Sequence, residues 1–483
     1  MNLRLIARLL SRLFAVLAVA MAAAIPWEWS TAGSGDASEA LALSAGIALF
    51  TAIALALVGR GADQVVRLRD ALVVVAVGWV AACVLGALPY TLSGAIDSFV
   101  DALFESTSGF TTTGATILTD VEGLPRALHF WRVTTHWLGG LGIVVLFVAL
   151  CPQLGVGAKH LFKSEVPGPI TEGLRPKIKQ TAVALWWIYV GLTALETLLL
   201  WWAGLSPFDA IAHSMSNLAT GGFSTRGASV GAYQNPTVEW IVCAFMYLAG
   251  VNFALHYAAL GGRWRQFFRD GEWRFYSAVL LVAVVVIAVV ILPETDGDIE
   301  TAVRLSLFQS LAITTGTGFG TADFNSWHPL GRVILVILMF AGGCAGSTSG
   351  GMKMSRVIIL IKASVIELAH TVRPHAVRVV KIGRTAIGSD VLKQVYAFAI
   401  LFIGSVLFLT LWLSAHGVDL ISSFTASVAC VGNVGPGLGQ VGPMSNYAGL
   451  PASGKLLLSL GMILGRLEFF TVLALLLPST WRR

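Results

Sequence analysis

The sequence predicts an all-α integral membrane protein of ten transmembrane helices. An N-terminal helical hairpin is followed by four repeats of span, short helix, glycine-bearing tract and span. Three observations predict this. Of 483 residues, 56% are hydrophobic and only 12% charged, where soluble domains carry about 25% charged residues; the mean hydropathy is +0.78. The apolar runs are about 20 residues long, the length at which an α-helix crosses roughly 30 Å of hydrocarbon. The same succession of elements then recurs four times after the first two spans.

The spans fall near 6–26, 38–59, 71–90, 130–151, 181–204, 238–260, 275–293, 328–368, 391–415 and 452–477. The first is expected to be a span and not a cleaved leader: Arg4, Arg8 and Arg12 are spread along it, no convincing small-residue cleavage site follows, and further spans come after it. The net charge of +6 becomes informative once it is placed along the chain. Arg60, Arg67 and Arg69; Lys159, Lys163, Arg175, Lys177 and Lys179; Arg263, Arg265, Arg269 and Arg274; and Arg373, Arg378, Lys381 and Arg384 gather in alternate loops. The opposite loops carry Glu28, Asp36, Asp97, Asp101, Asp120, Glu122, Glu294, Asp296, Asp298, Glu300, Asp323 and Asp419. Cytoplasmic loops are the basic ones, so both termini, including Arg482–Arg483, are expected in the cytoplasm. Arginines distributed this way answer to a bilayer and not to nucleic acid. The five cysteines form no CxxC pair and read as small buried hydrophobes, with neither a zinc site nor a disulfide framework.

The hairpin occupies 1–65, and the units 66–165, 166–268, 269–385 and 386–483. Each unit holds, on its outer side, an apolar segment too short to cross, followed by a Thr/Gly-rich stretch. The four are SFVDALFESTSGFTTTGAT (98–116), SPFDAIAHSMSNLATGGFST (206–225), ETAVRLSLFQSLAITTGTGFGT (300–321) and GVDLISSFTASVACVGNVGPG (417–437). Asp101, Asp209, Glu300 and Asp419 open them, a favourable place for an acid on the helix dipole. The marker glycines Gly114, Gly222, Gly318 and Gly435 lie 108, 96 and 117 residues apart (222−114, 318−222, 435−318), which makes this an internal repeat. Non-helical backbone at membrane depth is tolerated only where it is buried in protein or lines an aqueous cavity. Four such loops meeting on an axis can replace a cation's hydration shell with carbonyl oxygens, as the four TVGYG loops of potassium channels do. Glycine suits loops of alternating carbonyl direction because they need φ values other residues resist. One GGF or TGF alone is equally consistent with close helix packing; four in register favour a pore.

Two further features fall inside spans. The tract AGGCAGSTSGG (341–351) splits a run of 41 residues, twice what one crossing needs. Arg466 interrupts the last span, and a charge there is costly unless paired or hydrated. Its structural alternative is an ion pair with Glu468 or Glu196, although residues two apart on a helix do not face each other. His136, Asn252 and His256 read as interhelical hydrogen bonders, and Glu196 similarly. No span carries arginine at every third residue, which excludes a voltage sensor. HExxH, a P-loop and a strand-linked GxGxxG are absent from the sequence, which argues against an enzyme or a nucleotide site. Ion-coupled secondary transport predicts inverted repeats, whereas these four units start and end on the same side.

The residues SGFTTTGAT, TGGFST, TGTGFGTADF and GNVGPGLG, with AGGCAGSTSGGMK and GMILGRLEFF, carry a resemblance. Over nearly its whole length, hairpin included, the chain resembles the Trk/Ktr/HKT superfamily of potassium uptake proteins, and within it the TrkH-type subunit of bacteria. The resemblance implies a single pore surrounded by four repeats in the bacterial inner membrane, with potassium as substrate and no bound cofactor. Its filter would be the backbone of Thr112, Thr113 and Gly114; Thr220, Gly221 and Gly222; Gly316, Thr317 and Gly318; and Asn433, Val434 and Gly435. Serine at the first marker glycine accompanies sodium permeation in some plant members; Gly114 here implies potassium. No loop is a full TVGYG, which implies a shorter filter and weaker K⁺/Na⁺ discrimination. The tract containing Gly342, Gly343, Gly346, Ser347, Thr348, Ser349, Gly350 and Gly351 would be an intramembrane gate, and Arg466 an electrostatic barrier beside the pore. A homodimer with one pore per protomer, and a TrkA-like cytosolic ring that binds nucleotide, are also implied. The alternative reading is a potassium symporter coupled to H⁺ or Na⁺.

Overall fold

The computed structural model describes residues 1–28, 35–62, 67–140, 142, 178–375, 379–383 and 385–481. It is almost entirely helical. Helices α1 (Leu3–Ala24) and α2 (Asp36–Val58) form the N-terminal pair, α1 capped by Asn2 through the Leu5 N–H at 3.1 Å. The first unit holds α3 (Leu68–Leu92), α4 (Phe99–Phe110) and α5 (Arg126–Gly140). The second holds α6 (Ile178–Trp202), α7 (Pro207–Leu218), α8 (Pro236–Ala249) and α9 (Phe253–Leu260), then a one-turn α10 (Trp264–Arg269). The third is α11 (Gly271–Ile291), α12 (Ile299–Thr315), α13 (Pro329–Phe340) and α14 (Met354–Val372). The fourth is α15 (Ser389–Ala415), α16 (Leu420–Val431), α17 (Ala452–Arg466) and α18 (Phe470–Leu476). Between α14 and α15, the two-residue strands β1 (Lys381–Ile382) and β2 (Thr385–Ala386) pair antiparallel, a small departure from the all-helical expectation.

Among the described residues, six helices are long and apolar enough to cross a bilayer, and up to eight if each of two bent pairs counts as one span. Those bends correct two spans expected to be continuous. The run 238–260 breaks at Gly250–Asn252, where α8 and α9 meet at 98°, and the run 452–477 breaks after Arg466, where α17 and α18 meet at 113°. At the first break Asn252 leaves the α8 path to cap α9 through the Ala254 N–H at 2.9 Å, so it is a cap and not the expected interhelical bonder. At the second, Glu468 and Phe469 take φ of 55° and 59°. The Glu468 carboxylate pairs with Arg356 of the third unit, and Phe469 packs on Phe398 and Phe402 at 5.4 and 6.3 Å. These contacts outweigh the helix propensity of an apolar run. The break within 328–368 is as expected: α13 stops at Phe340 and α14 restarts at Met354. The expected span 130–151 is helical as far as Gly140; its remainder, with Cys151, Lys159, Lys163, Arg175 and Lys177, lies outside the described residues, as do Arg378, Arg384 and Arg482–Arg483.

Three of the four short helices are 12 residues long, about 18 Å at 1.5 Å per residue, half a bilayer. Side-chain caps start α7, α12 and α16. Ser206 accepts from the Asp209 N–H at 3.1 Å and donates to its carboxylate, while Asp298, ahead of the expected Glu300, caps α12 at the Glu300 N–H. Each short helix packs against its own unit's first span and also against the preceding unit: α4 on α17, α7 on α5, α12 on α8, α16 on α13. Ion pairs reinforce two of these seams. Lys455 meets Asp101 at 2.7 Å between α17 and α4, and Arg304 pairs with Glu239 between α12 and α8. The faces turned away, such as Trp187, Trp202, Leu281, Val289 and Leu411, are exposed and apolar, as lipid-facing surface requires.

Asp419 caps α16 by accepting from the Ser422 N–H at 3.0 Å. Hydrogen bonds from the Ser422 hydroxyl and backbone hold its carboxyl below the usual aspartate range. A carboxyl depressed in the fold stabilises above its unfolded value of about 3.9 and loses that contribution as pH falls through the folded value. Asp419→Ala is therefore expected to lower stability at pH 7 by about 1 kcal/mol. The Tm difference from the parent protein should shrink on acidification; a difference that grows in acid contradicts the assignment.

Candidate functional site

The short helices α4, α7, α12 and α16 end in the same way. The residue after the helix cap, or in the third unit the cap itself, is left-handed: Thr112 (φ 53°), Thr220 (55°), Gly316 (74°) and Asn433 (53°). In three units it closes a Schellman turn. The N–H of Thr113 donates to Ser108 C=O at 2.9 Å, that of Gly221 to Ser216 C=O at 2.9 Å, and that of Val434 to Ala429 C=O at 2.8 Å. In the third unit the corresponding long bond is one residue wider, from Gly318 to Ala312 at 2.9 Å. Two residues further on, φ is positive again at Gly114 (80°), Gly222 (80°), Gly318 (71°) and Gly435 (99°). A β-branched threonine at φ near 55° is strained, and strain of this kind persists where the surroundings over-determine it.

These tripeptides touch in a closed cycle. A Cβ on Gly114 would strike the carbonyl oxygen of Gly221, one on Gly222 that of Thr317, one on Gly318 that of Val434, and one on Gly435 that of Thr113, 2.7 Å away. Each marker glycine thus faces the carbonyl just before the next unit's marker glycine, and the fourth returns to the first. The cycle is repeated a few residues outward. Glu122 accepts from the Gly227 N–H at 2.8 Å, Gly231 N–H donates to Gly320 C=O at 3.0 Å, Asn325 accepts from Gly439 N–H at 3.0 Å, and Tyr447 N–H donates to Thr116 C=O at 2.8 Å. Side chains tie the ring as well: Thr111 to Thr113 at 2.8 Å, Thr315 to Thr317 at 2.7 Å, and the Asn433 amide to Thr113 at 3.0 Å across the seam of units four and one.

The 341–351 tract lies directly beneath. Gly350 and Gly351 abut the Gly432 carbonyl, and the Ser349 hydroxyl donates to Thr315 C=O at 2.5 Å, at the foot of α12. The tract is knitted into the break of the second unit through Cys344 N–H to Gly250 C=O (2.8 Å), Phe253 N–H to Gly346 C=O (3.0 Å) and Thr348 Oγ1 to Ala249 C=O (3.3 Å). Glu272 holds its flanks, accepting from the N–H groups of Ala345 (2.7 Å) and Ser355 (2.8 Å). Two cations grip adjacent carbonyls. Buried Lys353 donates to Ser349, and Arg466 donates to Thr348 at 2.7 Å. Arg466 also donates to Gly139 and Gly140 C=O at 2.6 and 2.7 Å, so its planar fork joins the fourth unit to the tract and to the first. Neither expected ion partner takes it: Glu468 pairs with Arg356, and Glu196 accepts from Asn217 Nδ2 at 2.6 Å.

A family model described as TrkH, cation transport protein, matches residues 41–481. The chain belongs to the TrkH family. The Trk system potassium uptake protein TrkH of Halomonas elongata is 36% identical over 490 residues and covers 100% of both chains. Its Salmonella typhimurium counterpart is 41% identical over 422 residues, 86% of each chain. The crystal structure of the potassium transporter TrkH from Vibrio parahaemolyticus matches with a TM-score of 0.89 at 34% identity, covering 100% of both chains.

In this TrkH-family chain, the tripeptide residues named from the sequence all come together, with the glycine tract below them and Arg466 beside it. His136 lies against Gly221, bonded to Ser216 at 3.0 Å and stacked on Phe223 at 3.9 Å. His256 ties α9 back to Leu248 at 3.0 Å. Sequence reasoning missed a second layer behind the ring. Glu105, buried in α4, meets Arg132 at 2.6 Å and accepts from Ile117 N–H at 2.9 Å and Thr116 Oγ1 at 3.0 Å. His213 in α7 bonds Ser224 at 2.9 Å, Gln309 in α12 donates to Thr321 at 3.3 Å, and Thr425 in α16 accepts from Leu438 N–H at 2.9 Å. The signal was available: aligning the four repeats puts a polar residue at the ninth position before the marker glycine in three units and at the tenth in the fourth.

Proposed function

We propose that this chain carries potassium ions into a bacterial cell through a channel-like pore on the axis where the four tripeptides meet. The observation that carries this reading is the closed cycle of Gly114, Gly222, Gly318 and Gly435, each against the carbonyl of the following unit. Left-handed residues at the first and third places of every tripeptide turn successive carbonyls in different directions, and four such stretches supply the oxygens that replace a cation's water. The 12-residue helices point their partly negative C-terminal ends at the same place. Relatives named as potassium uptake proteins over the full chain length support potassium as the ion.

The chain crosses the membrane ten times, and the eight spans of the four repeats surround the pore. Of the ten, six are the long helices, two are the bent pairs, one contains α5, and one is α13 with α14. The basic loops and both termini face the cytoplasm of the bacterial inner membrane. The 341–351 tract is the gate, and Arg466 serves both as electrostatic barrier and as latch. A TrkA-like nucleotide-binding ring moves the tract from below; relatives named for a Trk system support a multi-component assembly. Each protomer of a homodimer holds its own pore.

Flux into liposomes containing this chain alone tests the reading with K⁺, Rb⁺, Na⁺ and Li⁺. Uptake of K⁺ and Rb⁺ well above Na⁺ and Li⁺ is expected. The absence of flux for every monovalent cation, with or without the shortened gate discussed below, sinks it.

A further inference from the structure

We propose that Glu105, His213, Gln309 and Thr425 are specificity-determining positioning residues: buried braces, one per unit, that hold the tripeptide ring at the spacing which discriminates potassium from sodium. The inference rests on the filter reading above and extends it to residues that do not touch the ion.

All four side chains are buried. Each starts on a short helix, passes behind its own tripeptide, and grips the strand that leaves it. A tripeptide is therefore fixed at both ends, by the helix turn before it and by the brace after it. Glu105 spans 11 and 12 residues to Thr116 and Ile117, His213 spans 11 to Ser224, Gln309 spans 12 to Thr321, and Thr425 spans 13 to Leu438. His213 Nδ1 faces the Asp209 carbonyl at 2.8 Å and must donate there, so in the neutral ring Nε2 accepts the Ser224 hydroxyl. The neutral braces are joined by a charged one in the first unit, where charge-assisted bonds are the stronger kind. Arg132, the partner of Glu105, also donates to Ser224 C=O at 3.1 Å and covers the Phe223 ring at 3.5 Å, while His136, one turn further along α5, stacks on the same Phe223 at 3.9 Å. One ion pair thus sets the exit strands of two adjacent units. Whether a filter selects by cavity size or by the field of its carbonyls, the carbonyl positions decide the outcome, and these side chains position them.

The test measures the K⁺/Na⁺ flux ratio of full-length protein in liposomes, alongside Tm and the amount reconstituted. Thr425→Val keeps the shape and removes the hydroxyl, and should lower the ratio about threefold or more; Thr425→Ser restores the hydroxyl and should return it to the parent value. Glu105→Gln, which leaves Arg132 buried without its counter-charge, should lower the ratio about tenfold. If Glu105→Gln does not fold, the Thr425 pair decides alone. A lowered Tm with an unchanged ratio in Thr425→Val overturns the proposal, because it is the result of a merely structural role. Failure of the underlying filter reading looks different: there Gly114→Ser also leaves the ratio unchanged, whereas failure of the braces alone leaves the Gly114 effect intact.

Discussion

Gly114→Ser is expected to lower the K⁺/Na⁺ flux ratio of the reconstituted protein by about tenfold or more. Two costs coincide at this position. The backbone sits at φ 80°, where an L-residue with a Cβ loses roughly 1–2 kcal/mol. The added Cβ also points at the Gly221 carbonyl oxygen of the second unit, with Gly222 Cα behind it at 3.8 Å. Backbone packed on both sides cannot step aside as a flexible side chain would, so the two tripeptides must separate or one carbonyl must turn outward. Either change removes an oxygen from the ring, and the larger ion, which depends on full coordination in place of its water, loses more. Bi-ionic flux assays with the folded variant give the ratio directly. A variant with parent-like Tm and a parent-like ratio would falsify the assignment of this tripeptide to the filter.

Deleting 346–350 is expected to raise potassium flux in the absence of any cytosolic partner. The deletion removes Thr348 and Ser349, and with them the carbonyls gripped by Arg466 and Lys353 and the Ser349 contact to the foot of α12. Hydrogen bonds to charged groups are each worth about 1.5–3 kcal/mol, so losing the pair shifts a closed-to-open equilibrium by tenfold or more. Arg466→Gln tests the same latch with a smaller disturbance: it keeps the tract but frees Thr348, Gly139 and Gly140, and should raise basal flux by less than the deletion does. Measurement is by ⁸⁶Rb⁺ or K⁺ uptake into liposomes at matched protein content. Unchanged flux in both variants means that the tract does not close the pore.

Much of this site was legible in the sequence because it is written in backbone demands. Two left-handed positions separated by one residue call for glycine or asparagine, and four copies at similar spacing turned a weak local signal into a strong one. Thr112 and Thr220 were readable only by that register, since threonine by itself argues against φ near 55°. The breaks at Gly250–Asn252 and Leu467–Phe469 were not legible. Both lie in runs apolar enough to read as continuous spans, and the second is held open by Arg356, which is 112 residues from Glu468. The braces fell between these cases. Glu105, His213 and Gln309 share a register, with Thr425 one residue off it, but the four share no chemistry, so no residue type repeats for the eye to follow; each was a polar residue in a short apolar helix until its partner on the exit strand was known.

Membrane class was determined by the sequence alone, and the expectation of an N-terminal hairpin, four units and their tripeptides was drawn from it, because hydropathy, charge bias and glycine suited to positive φ are local properties that four-fold recurrence amplifies. The cyclic order of the units, the two bends and the partners of Arg466 were decided only by the tertiary structure. That arginine illustrates the physical reason. Its cost in an apolar span is a local quantity, but what relieves the cost includes, among the described residues, carbonyls from elsewhere in the chain, one of them at Gly139, 327 residues away. Residue type states that a buried charge must be satisfied; only the packing of all four units states by what.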